Sequence, residues 1–129
     1  MRIFATLHTT ISFFLLLSGT LIAPAQAEVY PVQGRWGQSS DAEQGAIDCT
    51  NRRVIAFSGG QRTDSSGGAP TYRNQSVRSD GPSTYRIVDE FSTGQISGGQ
   101  TSYALRKVDA DHIEMNTPDG GTVKLQRCR

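Results

Sequence analysis

Side chains able to do chemistry are few in this chain, and their spacing limits what they can do. Beyond residue 27 there is one histidine, His112, in the run Asp109-Ala110-Asp111-His112-Ile113-Glu114. Two carboxylates beside an imidazole are metal-capable and, with a serine, are the parts of a hydrolytic triad. No serine sits in the strained Gly-x-Ser-x-Gly turn that would expose a nucleophile. Aspartates at a tight connection ordinarily bond their own backbone. His112 therefore reads as a solvated strand histidine and Asp109-x-Asp111 as a turn, with no metal site assigned. Asp89 and Glu90 are neighbours on an expected strand, so they point to opposite faces and do not form a carboxylate pair. If Asp89 shares the inner face with Tyr85 and Ile87 it needs a partner, and an arginine suits. The double glycines at 59–60, 67–68, 98–99 and 120–121 lack the Lys-Ser/Thr ending of a phosphate loop. No cofactor is implied, and a hydrolytic enzyme is the least favoured reading.

The other reactive pair is Cys49 and Cys128. Their spacing excludes a CxxC redox motif, and a metal would need further ligands. In an oxidising compartment an isolated pair forms one disulfide. Closing so long a loop contributes roughly 4–5 kcal/mol on the chain-entropy account.

Such a compartment is what the first residues specify. Arg2 opens the chain, an apolar run follows from Ile11 to Ala23, and the segment closes on Ala25-Gln26-Ala27. Charged start, apolar middle and small-residue site are the parts of a secretory signal peptide. The apolar run is short for a bilayer span, and no cysteine adjoins the cleavage point for lipid attachment. The expectation is a signal peptide over 1–27 and a mature domain over 28–129, periplasmic or secreted, with no stable membrane anchor. Twelve basic residues then face twelve acidic ones. No basic stripe survives, which argues against nucleic acid as a partner.

The elements that must position these groups are strands. Residues up to Val32 read as a short extended arm, with Pro31 discouraging helix. Beyond it, apolar residues alternate with polar ones between glycine-rich punctuation: Tyr85 and Ile87, Tyr103 and Leu105, Ile113 and Met115, Val123 and Leu125. Strands are expected near 34–38, 50–58, 71–79, 83–91, 100–108, 111–117 and 121–128. Ser39 to Ile47 has room for a helical turn, and Gln61 to Pro70 reads as a mobile loop. The fold class is all-β: a small antiparallel meander closing into a seven- or eight-stranded barrel, since open edges invite aggregation.

Gly34-Arg35-Trp36 opens the first strand with the only tryptophan, and Arg127 lies on the last. In a closed meander those strands are neighbours, so the arginine can cover the indole. This arrangement resembles the lipocalin-type (calycin) pattern, in which Gly-x-Trp and a late arginine plug one barrel end; Trp36 and Arg127 would be that plug. The order Gly34-Arg35-Trp36, a polar stretch from Ser39 to Asp48, then Cys49 is also similar to small periplasmic inhibitors of bacterial metalloproteinases. That resemblance implies a partner-binding arm made of Glu28, Val29, Tyr30, Pro31 and Val32, which would enter a protease cleft. The chain departs from that family in its second cysteine, which stands at 128 and not shortly after the first.

Trp36, Phe57, Tyr85, Phe91, Tyr103, Ile113, Met115 and Leu125 are many large side chains for 102 residues, so a filled interior is expected. The functional expectation is an exported, non-catalytic module that binds or inhibits a protein such as an envelope hydrolase. The alternative is a lipocalin-like carrier of a small apolar ligand, which needs an internal apolar cavity of about 300 Å³ or more. Deleting Glu28 to Val32 is expected to abolish partner binding and leave the thermal midpoint nearly unchanged, as for an exposed arm.

Overall fold

The computed structural model describes residues 19–20, 28–40 and 43–129; the signal-peptide expectation falls almost wholly outside them. The described chain contains eight strands: β1 (Gly34–Gln38), β2 (Val54–Ser58), β3 (Gln61–Asp64), β4 (Tyr72–Ser79), β5 (Thr84–Phe91), β6 (Gly99–Lys107), β7 (His112–Asn116) and β8 (Thr122–Arg127). Each pairs antiparallel with the next, and β8 returns to β1 through Trp36↔Arg127 and Gln38↔Leu125, closing the barrel. The all-β barrel expectation holds in its eight-stranded form.

The eighth strand is the correction. The segment expected as a loop from Gln61 to Pro70 begins with β3, joined to β2 by a two-residue hairpin over Gly59-Gly60, where Gly59 takes a φ of 60°. Glycine adopts that conformation without steric cost, which is why such hairpins favour it. β3 escaped the alternation rule because its inward positions are Arg62 and Asp64, opposite Phe57 and Ile55. Strand β2 starts later than expected, because Asp48 accepts both the backbone N–H and the hydroxyl of Thr50 and folds residues 48–51 into a turn. No helix forms among the described residues of the Ser39–Ile47 segment; Ile47 instead makes a parallel bridge to Cys128.

The core is one cluster along the barrel axis. Trp36, Ile55, Ile87, Leu105, Ile113 and Leu125 are each at most 1% exposed, and Tyr30, Val32, Phe57, Tyr103 and Met115 complete it. Of the side chains expected to fill the interior, Tyr85 and Phe91 are only half-buried. Phe91 lies towards one rim against Tyr72, ring centres 5.7 Å apart.

Cys49 and Cys128 are bonded, with Cα atoms 5.6 Å apart. The bridge lies tight against β1: a Cβ at Gly37 would come within 2.6 Å of Cys49 Sγ. Glycine at 37 is thus what lets the bridge seat on the strand.

Candidate binding face at the barrel mouth

The two ends of the barrel differ. At the end where β1 begins, Arg127 lies over Trp36, its guanidinium carbon 4.3 Å from the ring centre. The indole N–H donates to the Gln33 carbonyl at 3.1 Å, and Arg127 donates to the Ala110 carbonyl from two nitrogens. The resemblance implied this plug, and the structure brings its two residues together.

The arm Glu28–Val32 closes the same end, and here the structure overturns the expectation of a free segment. Tyr30 is 3% exposed and Val32 is buried. The Tyr30 amide donates to Gly59 O at 3.0 Å, and its ring meets Phe57 edge-on at 5.0 Å. Glu28 accepts the Val77 amide at 2.8 Å. Val29 alone of the arm's large apolar residues is displayed, at 65% exposure.

The Tyr30 hydroxyl reaches a polar layer inside the barrel. Asp89 is completely buried and accepts three bonds: from Tyr30 at 2.9 Å, from Arg62 Nε at 2.8 Å and from Tyr103 at 3.1 Å. Arg62 is the arginine partner that an inward Asp89 requires. Burial, then the adjoining Asp89 charge, pushes both tyrosine hydroxyls far above their ordinary range, so they remain donors at any working pH. Sequence reasoning named Asp89 but missed Tyr30, Arg62 and Tyr103 as its partners. The available signal was the parity of Tyr103, which shares its face with Leu105.

Asn74 also faces the interior, opposite Asp89 across the β4–β5 ladder, beside a bulge between Asn74 and Ser76. It is fully buried, and neither atom of its carboxamide has a hydrogen-bond partner. An unsatisfied buried amide destabilises, and an apolar group of the same shape removes that cost. Asn74→Leu is therefore expected to raise stability by about 1–3 kcal/mol, read as a higher urea midpoint at unchanged slope. A lower midpoint would show that the carboxamide has partners in solution.

At the opposite end Arg53, Arg62, Asp64, Tyr72, Thr101 and Tyr103 line a mouth cavity of about 160 Å³. Asp64 is gripped by Arg53 through two bonds of 2.9 and 2.6 Å, and Arg62 approaches it at 3.8 Å. Burial alone would raise the Asp64 carboxyl, but the Arg53 fork and the Ser66 amide hold it below the ordinary carboxylate value. Arg62 also stacks on the Tyr72 ring at 3.9 Å, with Tyr103 at 5.2 Å. Arginines with paired charges, tyrosine faces and hydroxyls make a small amphipathic recess. It can take a polar group with a short apolar stem, but it is too small and too polar for a lipid-like cargo.

The chemistry-bearing residues of the sequence lie elsewhere. Asp109 accepts the Asp111 amide at 2.8 Å, the expected turn, and also faces His112 Nδ1 at 2.8 Å. The other ring nitrogen faces the Glu43 carbonyl, so no serine is bonded to the imidazole. Glu90 points outward to Arg73 and Gln75, away from Asp89. Among the described residues no three His, Cys, Asp or Glu side chains converge as metal ligands. Comparison of the chain with family models, with curated proteins and with solved structures finds no match.

Proposed function

We propose that the protein is an exported, non-catalytic binding module that recognises a protein partner through the mouth of its barrel. The observation that carries this reading is the mouth recess: about 160 Å³, walled by Arg53, Arg62, Tyr72 and Tyr103 above a core filled with side chains. Arginine and tyrosine dominate the energetics of protein interfaces, and a recess of this size suits one side chain of a partner. The Cys49–Cys128 bridge supports an oxidising compartment. An inhibitor-like role is compatible with this surface, but the recognition element moves away from the arm, because Tyr30 is committed to Asp89.

The test is affinity capture from envelope extract with the mature domain and two variants. Thr101→Arg fills the recess and is expected to weaken capture at least about tenfold, as for a hot-spot change, with the barrel still folded by circular dichroism. Val29→Asp alters the displayed arm residue and is expected to leave capture unchanged. Equal capture by Thr101→Arg, or a small apolar molecule co-purifying in native mass spectrometry, would overturn the reading.

A further inference from the structure

We infer that His112 is held as the imidazolium and clamps the Glu43–Ile47 segment to the barrel wall, so that pH controls the attachment of that segment. Both ring nitrogens face acceptors: Nδ1 lies 2.8 Å from Asp109 Oδ1, and Nε2 lies 3.2 Å from the Glu43 backbone oxygen. Neither acceptor can donate in return at neutral pH. A neutral imidazole carries one N–H, so each neutral tautomer turns a lone pair on an oxygen. The doubly protonated ring satisfies both bonds.

The surroundings favour that charge. Asp109 and Asp111 approach from the β6–β7 turn, while the carboxylates of Glu43 on the segment and Glu114 on β7 are paired with Arg52 and Arg106. The cations nearby are Lys107 at the end of β6, and Lys124 and Arg127 on β8. Asp111 and Arg127 pair with each other at 3.7 Å, and Lys107 lies over the Tyr85 ring. The bond that His112 donates to Asp109 is the main reason that His112 titrates above its ordinary 6.5, and the same bond holds the Asp109 carboxyl below its ordinary 3.8.

The clamped segment covers a buried side chain. Gln126 is fully buried, and its Nε2 donates to the Glu43 carbonyl at 3.2 Å and to the Gly45 carbonyl at 2.5 Å. The Glu43 carbonyl thus receives one bond from β8 and one from His112, the only β7 side chain bonded to the described part of the segment. At its other end Ile47 is fixed to Arg127 and Arg129 through backbone bonds, next to the disulfide. Losing the His112 proton therefore loosens the Glu43 end, which keeps the Gln126 bond and an exposed ion pair with Arg52 at 3.4 Å, while the Ile47 end stays held. The window has two edges. His112 is raised in the folded state, so its contribution is complete below its ordinary value and disappears as pH rises through the raised one. Asp109 is lowered, so its contribution is complete above its ordinary value and disappears as pH falls through the lowered one.

The test is nitrogen-15 NMR of the imidazole ring and the Gln126 side-chain amide across a pH series, independent of any partner. Both His112 nitrogens are expected at imidazolium shifts at the acid end of the series, with a midpoint above 6.5 that moves down in Asp109→Asn. That variant keeps an acceptor for the Asp111 amide and so keeps the turn. Protection of the Gln126 side-chain amide is expected to fall severalfold through the His112 midpoint, and to show no such step in His112→Gln. A single neutral tautomer at pH 6.5, a midpoint unmoved in Asp109→Asn, or an identical step in His112→Gln would overturn the clamp.

Discussion

Asp89→Ala is expected to abolish the cooperative unfolding transition of the domain at ordinary temperature. Removing one partner of a buried ion pair costs about 3–5 kcal/mol, because the other charge is left without compensation. Here that charge is Arg62, with 5% of its side chain exposed; the one carboxylate left near it, Asp64 at 3.8 Å, is already gripped by Arg53, so compensation is partial. Two tyrosine hydroxyls, of Tyr30 and Tyr103, lose their acceptor in the same stroke, at about 1–3 kcal/mol each. A domain of this size has roughly 5–15 kcal/mol in total. Differential scanning calorimetry of the purified domain reads the outcome, and a transition within a few degrees of the parent would refute the role given to Asp89. The double variant Asp89→Ala/Arg62→Met is expected to be more stable than the single one, since it removes the stranded charge along with its partner.

The second large effect is at Tyr30. Tyr30→Ala is expected to cost about 3–5 kcal/mol, the range for truncating a buried aromatic side chain. Tyr30→Phe keeps the ring against Phe57 and removes only the bond to Asp89, at about 1–3 kcal/mol. Deleting Glu28 to Val32 must then lower the thermal midpoint at least as far as Tyr30→Ala does. This reverses the expectation drawn from sequence, where the arm was an exposed partner-binding segment whose deletion would leave the thermal midpoint nearly unchanged. Urea denaturation of the two point variants and the deletion ranks all three. An unchanged midpoint for Tyr30→Ala would restore the expectation that the arm contributes little to stability.

These two residues mark where the sequence was legible and where it was not. Alternation located β5 to β8 within a residue or two, because each presents one apolar face to a core of Ile87, Leu105, Ile113 and Leu125. The contact of Arg127 with Trp36 was legible too, since closing a meander makes their strands neighbours. β3 was not, because the barrel uses charged residues at its inward positions. Polar alternation carries no hydrophobic signal, and its meaning appears only once Asp89, 27 residues away on no common element, supplies a partner. Tyr30 was hidden for the same reason: a short arm with a proline gives no period to read, and its burial is decided by a carboxylate 59 residues downstream.

The position of the disulfide turns the chain into a lariat. Cys49 and Cys128 enclose β2 to β8 in one covalent ring, and β1 with the arm is the tail. That tail strand is the stave lying between β2 and β8, whose flanking chain the bridge ties together. Insertion of β1 is therefore a docking event into a slot of fixed width, at the high effective concentration of a tethered reaction. Reduction converts the same step into closure of a long open chain, with its larger entropy cost. The bridge thus governs more than the depth of the folded state: it fixes the width of the slot that β1 fills.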